Sequence, residues 1–547
     1  MRGVWIFLLL TGWCSAQEDG YVLAGSVVNA RTGEPVKQAL VTAFRFAARG
    51  DAGDGAAARP FRGAVPAPPF TVSALTDASG AFRFTGLTAG TYNLSAQKPH
   101  FTHQPTERAL VRLESSGKED VRVELSPLGT IEGKITDQRG QPASSVAVLV
   151  MQTSIVDGSR QTSVARSVWT DDRGMFRAWD IAPGRYLIRA SGRGGNTSTY
   201  MSDDVPSSNG GFDGFVPAYF GGPTADSATP IVMEPGTEAR ADIGVIVQPA
   251  YKVRGTIANF GPGGVDFALL SGEENVGTGR VVFSRTSGAF EMLEVVNGSY
   301  TLRAAQGGKT VAEIPILVQG ADVEGLRMTL AEAVQIPVNV RIVGQPTEQE
   351  KESEDGDLAL SPPGFCMVTL HGGLGSGWSP VMLGLRQVGV DPAGGSPVLP
   401  GRYRVGVSCN GAYLVSAAMG TTDLLANPWI TVSPGAAPAT IEVVAHHGGG
   451  TISGAIKLDQ EPTGKNLYVL AVPRVSTREP ALVPAFEQIG RQFSFDSLAP
   501  GDYTLYGFSS DQVEYRNPEF LRGLTGGESV HVDEGASATV TITRLVQ

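Results

Sequence analysis

The stretch Asp77-Ala-Ser-Gly80-Ala-Phe82-Arg-Phe84-Thr-Gly-Leu87-Thr-Ala-Gly90-Thr-Tyr92 decides the fold. Asp-x-x-Gly is a turn: the Asp carboxylate accepts hydrogen bonds from nearby backbone N–H groups, and Gly takes a positive φ at low cost. Phe82 and Phe84 alternate with polar neighbours, so both face one side of a strand, and Leu87 extends that face. A second turn ends at Gly90. Tyr92 then opens another alternating strand, Tyr92-Asn-Leu94-Ser-Ala96, with its ring turned inward at the corner of a sandwich.

The unit recurs. Asp171-Asp-Arg-Gly174-Met-Phe176-Arg-Ala178-Trp-Asp-Ile181-Ala-Pro183-Gly184-Arg-Tyr186 is a full copy. Gly288-Ala-Phe290-Glu-Met292 with Gly298-Ser-Tyr300 is a looser one, as is Phe493-Ser-Phe495-Asp-Ser-Leu498-Ala-Pro500-Gly501-Asp-Tyr503. Pro400-Gly401-Arg-Tyr403 keeps only the end. The tyrosines are spaced by about one domain length, roughly 100 residues, which implies tandem sandwiches with separate cores and excludes a solenoid. The 70 glycines and 35 prolines in 547 residues suit a turn-rich all-β chain.

Four of the five segments open on an apolar-x-Gly-x-apolar strand: Leu23-Ala-Gly25-Ser-Val27, Ile131-Glu-Gly133-Lys-Ile135, Val253-Arg-Gly255-Thr-Ile257 and Ile452-Ser-Gly454-Ala-Ile456. Glycine inside a strand marks a bulge or a close backbone approach. Thr32-Gly-Glu-Pro35-Val36 then leads to the strand Ala39–Phe44, and Gly140-Gln-Pro142-Ala143 leads to Val146–Val150. With the Thr-Asp-x-x-Gly-x-Phe turn and the x-Pro-Gly-x-Tyr corner, these motifs resemble the carboxypeptidase regulatory-like domain. The resemblance implies a transthyretin-like, seven-stranded β-sandwich, similar to collagen-adhesin B-type repeats. It runs through residues 21–125 and 128–190, continues more loosely through 250–330 and 450–510, and is reduced to the tyrosine corner in 332–447.

The expected architecture is therefore all-β, a tandem array of about five transthyretin-like sandwiches. Its segments are a signal peptide (1–16), then sandwiches at 17–127, 128–249, 250–331, 332–447 (divergent) and 448–547. Pro249-Ala250 and Gly448-Gly-Gly450 read as short linkers, so neighbours are expected to bury little against each other. Residues 47–70 and 345–363 read as solvated loops.

Met1-Arg2, the apolar run Val4–Leu10 and Cys14-Ser-Ala16 have the form of a secretory signal cut after Ala16. A lipoprotein reading would make Cys14 the lipidated residue, with Trp13 a poor neighbour for it. No later stretch is apolar and long enough for a membrane helix. Cys366 and Cys409 lie in two alternating strands of one segment. Exported to an oxidising compartment, they are expected to form a disulfide with Cα atoms about 4.4–6.8 Å apart. The net charge of −11 argues against nucleic acid as partner.

Enzymatic motifs are missing from the sequence. The six histidines, His100, His103, His371, His446, His447 and His531, show no zinc-peptidase spacing, so the peptidase that accompanies this domain elsewhere has no visible ligands. There is no Gly-x-Ser-x-Gly elbow, P-loop or dinucleotide fingerprint. The Asp77 and Asp171-Asp172 turns offer too few oxygens for calcium and read as hairpin caps. No cofactor or metal is expected.

The candidate binding residues are aromatic. Trp179 aligns with Thr85 and should face outward by strand alternation, a contact for sugar or partner. Trp169 aligns with Leu75 and Phe283 and reads as core. The insertion 192–229 carries Tyr200, Phe212, Phe215, Tyr219 and Phe220; loops of this length are often functional. With Trp179 they would form a platform, or else pack over a sandwich edge or between the second and third sandwiches. The expected function is a secreted, non-enzymatic scaffold in the envelope or outside the cell, binding polysaccharide or envelope protein. The alternatives are a periplasmic accessory subunit of a membrane complex and an enzyme with a hidden carboxylate pair at a domain junction, about 5–9 Å apart.

Overall fold

The computed structural model describes residues 20–45, 70–102, 109–113, 117–193, 199–202, 212–272, 274–277, 280–344, 365–372, 381–387, 397–459, 466–475, 478–485 and 490–546. The expected signal peptide with Cys14 and Ala16, and the loops 47–70 (save Phe70) and 345–363, lie outside the described residues. The regular structure of the described chain is strand save for one short helix, folded as tandem β-sandwiches around five separate cores. Contacts divide it after Leu128 into two compact units.

The first sandwich shows the plan. One sheet runs Ala81–Leu87, Tyr21–Asn29, Lys118–Pro127 and Phe101–Thr102; the other runs Phe70–Leu75, Leu40–Arg45, Gly90–Gln97 and Ala109–Leu113. The opening strand pairs antiparallel with the Phe-x-Phe strand and parallel with the closing strand. The second, third and fifth sandwiches repeat this arrangement around Gly129–Thr136, Ile246–Ala258 and Gly450–Ile456. The fourth keeps the parallel pairing of its first and last strands, Val338–Val343 with Ile441–His446.

The strand glycines are needed because nothing else fits. A Cβ on Gly25, Gly133, Gly255 or Gly454 would sit 1.9, 1.9, 2.5 or 1.8 Å from a backbone oxygen of the closing strand: Val121, Ala241, Leu326 and Val540 respectively. Bulges interrupt the register beside Gly25 and Gly255. A second bulge ends the Phe-x-Phe strand. Gly86, Asp180, Glu294 and Ser497 occupy equivalent positions there, all left-handed at φ 72°, 58°, 65° and 55°.

The Asp turns cap hairpins as read. Asp77 Oδ1 accepts from the N–H groups of Ser79 and Ala81 and from the Ser79 hydroxyl, which hold its carboxyl below the usual range. Asp171 accepts from the N–H of Arg173 and of Met175. The preceding threonines add a contact that alternation does not reveal. Thr170 is buried; its hydroxyl donates to the Ala143 carbonyl (2.7 Å) and accepts from Val146 N–H (2.9 Å), and Thr76 does the same between Val36 and Ala39.

The corner tyrosines share one geometry. The hydroxyls of Tyr92, Tyr186, Tyr300, Tyr403 and Tyr503 each donate to the carbonyl four residues earlier, on Thr88, Ala182, Val296, Leu399 and Ala499. In four copies the intervening glycine, Gly90, Gly184, Gly401 or Gly501, takes φ between 143° and 157°. The ring fills the core while the hydroxyl satisfies a turn carbonyl that would otherwise be buried unpaired.

Cys366 and Cys409 form a disulfide in the fourth sandwich. They are direct partners across the antiparallel strands Phe365–Gly372 and Gly401–Asn410, with Cα atoms 4.0 Å apart. This is closer than the expected range, because the bond crosses a single ladder rung instead of joining two sheets. Cys366 packs with Ala412 and Ala445 in a small apolar cluster beside the main core.

Two measurements check these roles. Tyr186→Phe should lower the stability of its sandwich by about 1–2 kcal/mol in urea unfolding, by orphaning the Ala182 carbonyl. Burial pushes the Tyr186 hydroxyl up to about 12 from 10.0. Its contribution is therefore complete below pH 10 and lost as the pH rises through about 12, and Tyr186→Phe should flatten that alkaline decline. Cys366→Ser should lower the melting temperature of the fourth sandwich, since chain-entropy arithmetic for the 43-residue separation gives a loss of about 4 kcal/mol in stability; a reductant should reproduce the shift in the wild type and not in the variant.

Candidate functional site

Trp179 stands where alternation places it, on the outer side of Met175–Ile181 and 55% exposed. It lies on the bulge whose next residue is the left-handed Asp180, a device that re-aims a side chain at a strand edge. Arg166, from the adjacent strand Ser159–Trp169, sets its guanidinium over the indole at 5.9 Å and reaches Asp180 at 3.9 Å. Both strands are the terminal members of their sheets among the described residues.

Trp169 corrects the core reading: it is 52% exposed, and Val168 and Thr170 on either side of it are buried instead. The alignment with Phe283 misled because the two strands belong to different sheets. Ser159–Trp169 pairs with Val146–Val156, whereas Val281–Ser284 pairs with the Phe-x-Phe strand Ala289–Val296. The change of sheet reverses the inward parity, so Phe283 is core and Trp169 is surface. The two terminal strands thus carry one exposed indole each, and Arg166, three residues before Trp169, lies over the ring of Trp179.

Three of the five insertion aromatics, Phe215, Tyr219 and Phe220, pack inward. Phe215 is 7% and Tyr219 4% exposed, both too buried to stack a ligand, and Phe220 packs against the second core. Of Tyr200 and Phe212 only the backbone is described. The insertion instead supplies strands to the third sandwich. Thr199–Ser202 pairs parallel with Val281–Ser284, and Phe212–Val216 pairs antiparallel with the first residues of Ile246–Ala258. Pro249-Ala250 is therefore inside a strand, not a linker. Nor is the stretch after His446 a free tether: the His447 N–H donates to the Val343 carbonyl and its ring contacts the Gly411 carbonyl, while Gly450 opens a strand.

The second-to-third junction also holds a buried charge. Arg189 is 2% exposed; it meets Glu274 of the third sandwich at 2.8 Å, donates to the Asn275 carbonyl at 2.9 Å and hydrogen-bonds Ser191. The Tyr219 hydroxyl donates to the same Glu274, and burial, then Glu274, raises its pKa. An unpaired guanidinium here is costly, so Glu274→Ala should destabilise the junction by about 3 kcal/mol and Arg189→Met by clearly less, read by urea unfolding.

Elsewhere the polar chemistry is sparse. No group of three or more His, Cys, Asp or Glu among the described residues is placed to hold a metal. His531, on an exposed strand, pairs with Asp502 at 2.7 Å, and that hydrogen bond raises its pKa. His371 is half-buried, and burial lowers its pKa. No helix among the described residues is long and apolar enough to cross a membrane.

Comparison with known proteins gives one family match, the carboxypeptidase regulatory-like domain over residues 22–126. No curated protein matches the chain in sequence. Among solved structures, the minor pilin of Streptococcus agalactiae is 14% identical, covering 42% of this chain and 97% of its own, with a TM-score of 0.23. The shaft pilin SpaA of Lactobacillus rhamnosus GG is 10% identical over 42% of this chain and 98% of its own, TM-score 0.20. The Bacillus anthracis TIE protein is 12% identical over 80% of both chains, TM-score 0.14. At such scores the similarity bears on neither the assembly nor the partners of this chain. The opening-strand glycine, the Thr-Asp turn and the tyrosine corner of the first sandwich coincide with the family match, and residues 22–126 of the chain form a carboxypeptidase regulatory-like domain.

Proposed function

We propose that this is an exported, non-enzymatic scaffold that binds polysaccharide or an envelope protein through the aromatic edge of its second sandwich. The carrying observation is the pair of exposed indoles, Trp169 and Trp179, on two terminal strands, with Arg166 laid over one of them. Flat aromatic faces beside a guanidinium suit sugar rings, which offer apolar C–H faces for stacking and hydroxyls for hydrogen bonds. They equally suit aromatic hot spots of a protein interface. Export is supported by the Cys366–Cys409 disulfide, a bond that persists in oxidising compartments. Strand donation between sandwiches favours a structural role, because it fixes the spacing of one module from the next.

Retention on immobilised polysaccharides and pull-down from an envelope extract separate the two ligand classes. Trp179→Ala and Trp169→Ala should each weaken retention by at least about tenfold, the loss of one aromatic hot spot, with the thermal unfolding profile preserved. Unchanged retention and unchanged pull-down in the double variant would refute the edge as the binding surface.

A further inference from the structure

The hairpin Val146–Val156 and Ser159–Trp169 turns through Asp157-Gly158, with φ 49° and 70°, the two-residue turn that suits a twisted hairpin. Its tip does not end in solvent. Gly158 is buried, and a Cβ there would lie 2.5 Å from the ring of Tyr515, in the fifth sandwich. Around that contact the tip is held by polar bonds. The Tyr515 hydroxyl donates to Asp157 Oδ1 (2.7 Å), Arg516 N–H donates to the Gly158 carbonyl (3.0 Å), and the Ile155 N–H donates to Gln512 Oε1 (2.9 Å). Arg516 also pairs with Asp157 at 2.6 Å, and Arg160 pairs with Glu514.

The receiving segment is itself anchored. Residues 509–524, including the short helix Pro518–Gly523, turn Val513, Tyr515, Phe520 and Leu521 onto the outer face of the fifth sandwich, over Leu470 and Phe508. Glu479 then links Arg516 at 3.1 Å to Arg404 of the fourth sandwich. The clasp is thus preformed, and it holds one glycine-tipped hairpin from more than 300 residues away in sequence.

We infer that this contact is a releasable latch. Apart from the Tyr515 ring on Gly158 it is made of hydrogen bonds and ion pairs, several of them half-exposed, and the cores of the second and fifth sandwiches remain separate. Such contacts weaken with salt and open at lower free energy than the sandwiches unfold. Docked, the latch holds the second, fourth and fifth sandwiches together. Released, it frees the hairpin whose far end carries Trp169. The latch stands independently of what that edge binds.

The test uses the full chain and hydrogen–deuterium exchange at residues 155–160 and 511–517. Arg160→Glu and Glu514→Arg each place like charges together and should speed exchange in both segments at once, by about fivefold or more, while Val146–Thr153 stays protected. Combining the two replacements restores the opposite pairing and should return both rates toward wild type. Gly158→Asn keeps a residue that tolerates the left-handed turn but drives a side chain into Tyr515; it should raise the radius of gyration in solution scattering. Exchange that changes in only one segment, a combined variant that stays fast, or Gly158→Asn with unchanged scattering and full protection would overturn the latch.

Discussion

Each sandwich except the fourth depends on a place where two backbones come closer than any side chain permits. The carbonyl oxygen of the closing strand occupies the volume of a missing Cβ on the opening strand, at Gly25, Gly133, Gly255 and Gly454. A phenyl ring from the Phe-x-Phe strand fills the space on the other side, Phe82, Phe176, Phe290 or Phe493. The first and last strands of a module are thereby joined in parallel, and its ends are fixed before any neighbour is considered. The tyrosine corner does a second local job, tying a turn to the core with one hydroxyl.

These features were legible in the sequence because they are local. A glycine in a strand, an Asp three residues before a glycine and a tyrosine two residues after one each announce a backbone requirement within a few positions. Alternation placed Trp179 correctly for the same reason. It failed at Trp169, where the reading leaned on an equivalent strand in the third sandwich that had moved to the other sheet. No local pattern reports which sheet an edge strand joins.

The insertion shows the same boundary. Its aromatic content was visible, and packing between the second and third sandwiches was one of the three readings left open. That its segments are strands of the neighbour's sheet depends on pairing with residues that follow them in the chain. Arg189 offered no signal at all, since a guanidinium in an alternating strand looks like any surface arginine until Glu274 is brought against it. Gly158 has two reasons to be glycine: the left-handed turn, which is local, and the ring of Tyr515, which a distant part of the sequence contributes.

Strand donation also limits how such a chain can be rearranged. A module whose sheets close on themselves can be copied, lost or moved as a single piece. The third sandwich cannot, because Thr199–Ser202 and Phe212–Val216, encoded ahead of it, cover edges of its sheet. A recombination event that parted it from the second would leave those ladder groups bare, open to pairing with any passing strand. The second and third sandwiches are thus a single heritable block, although by fold they are two.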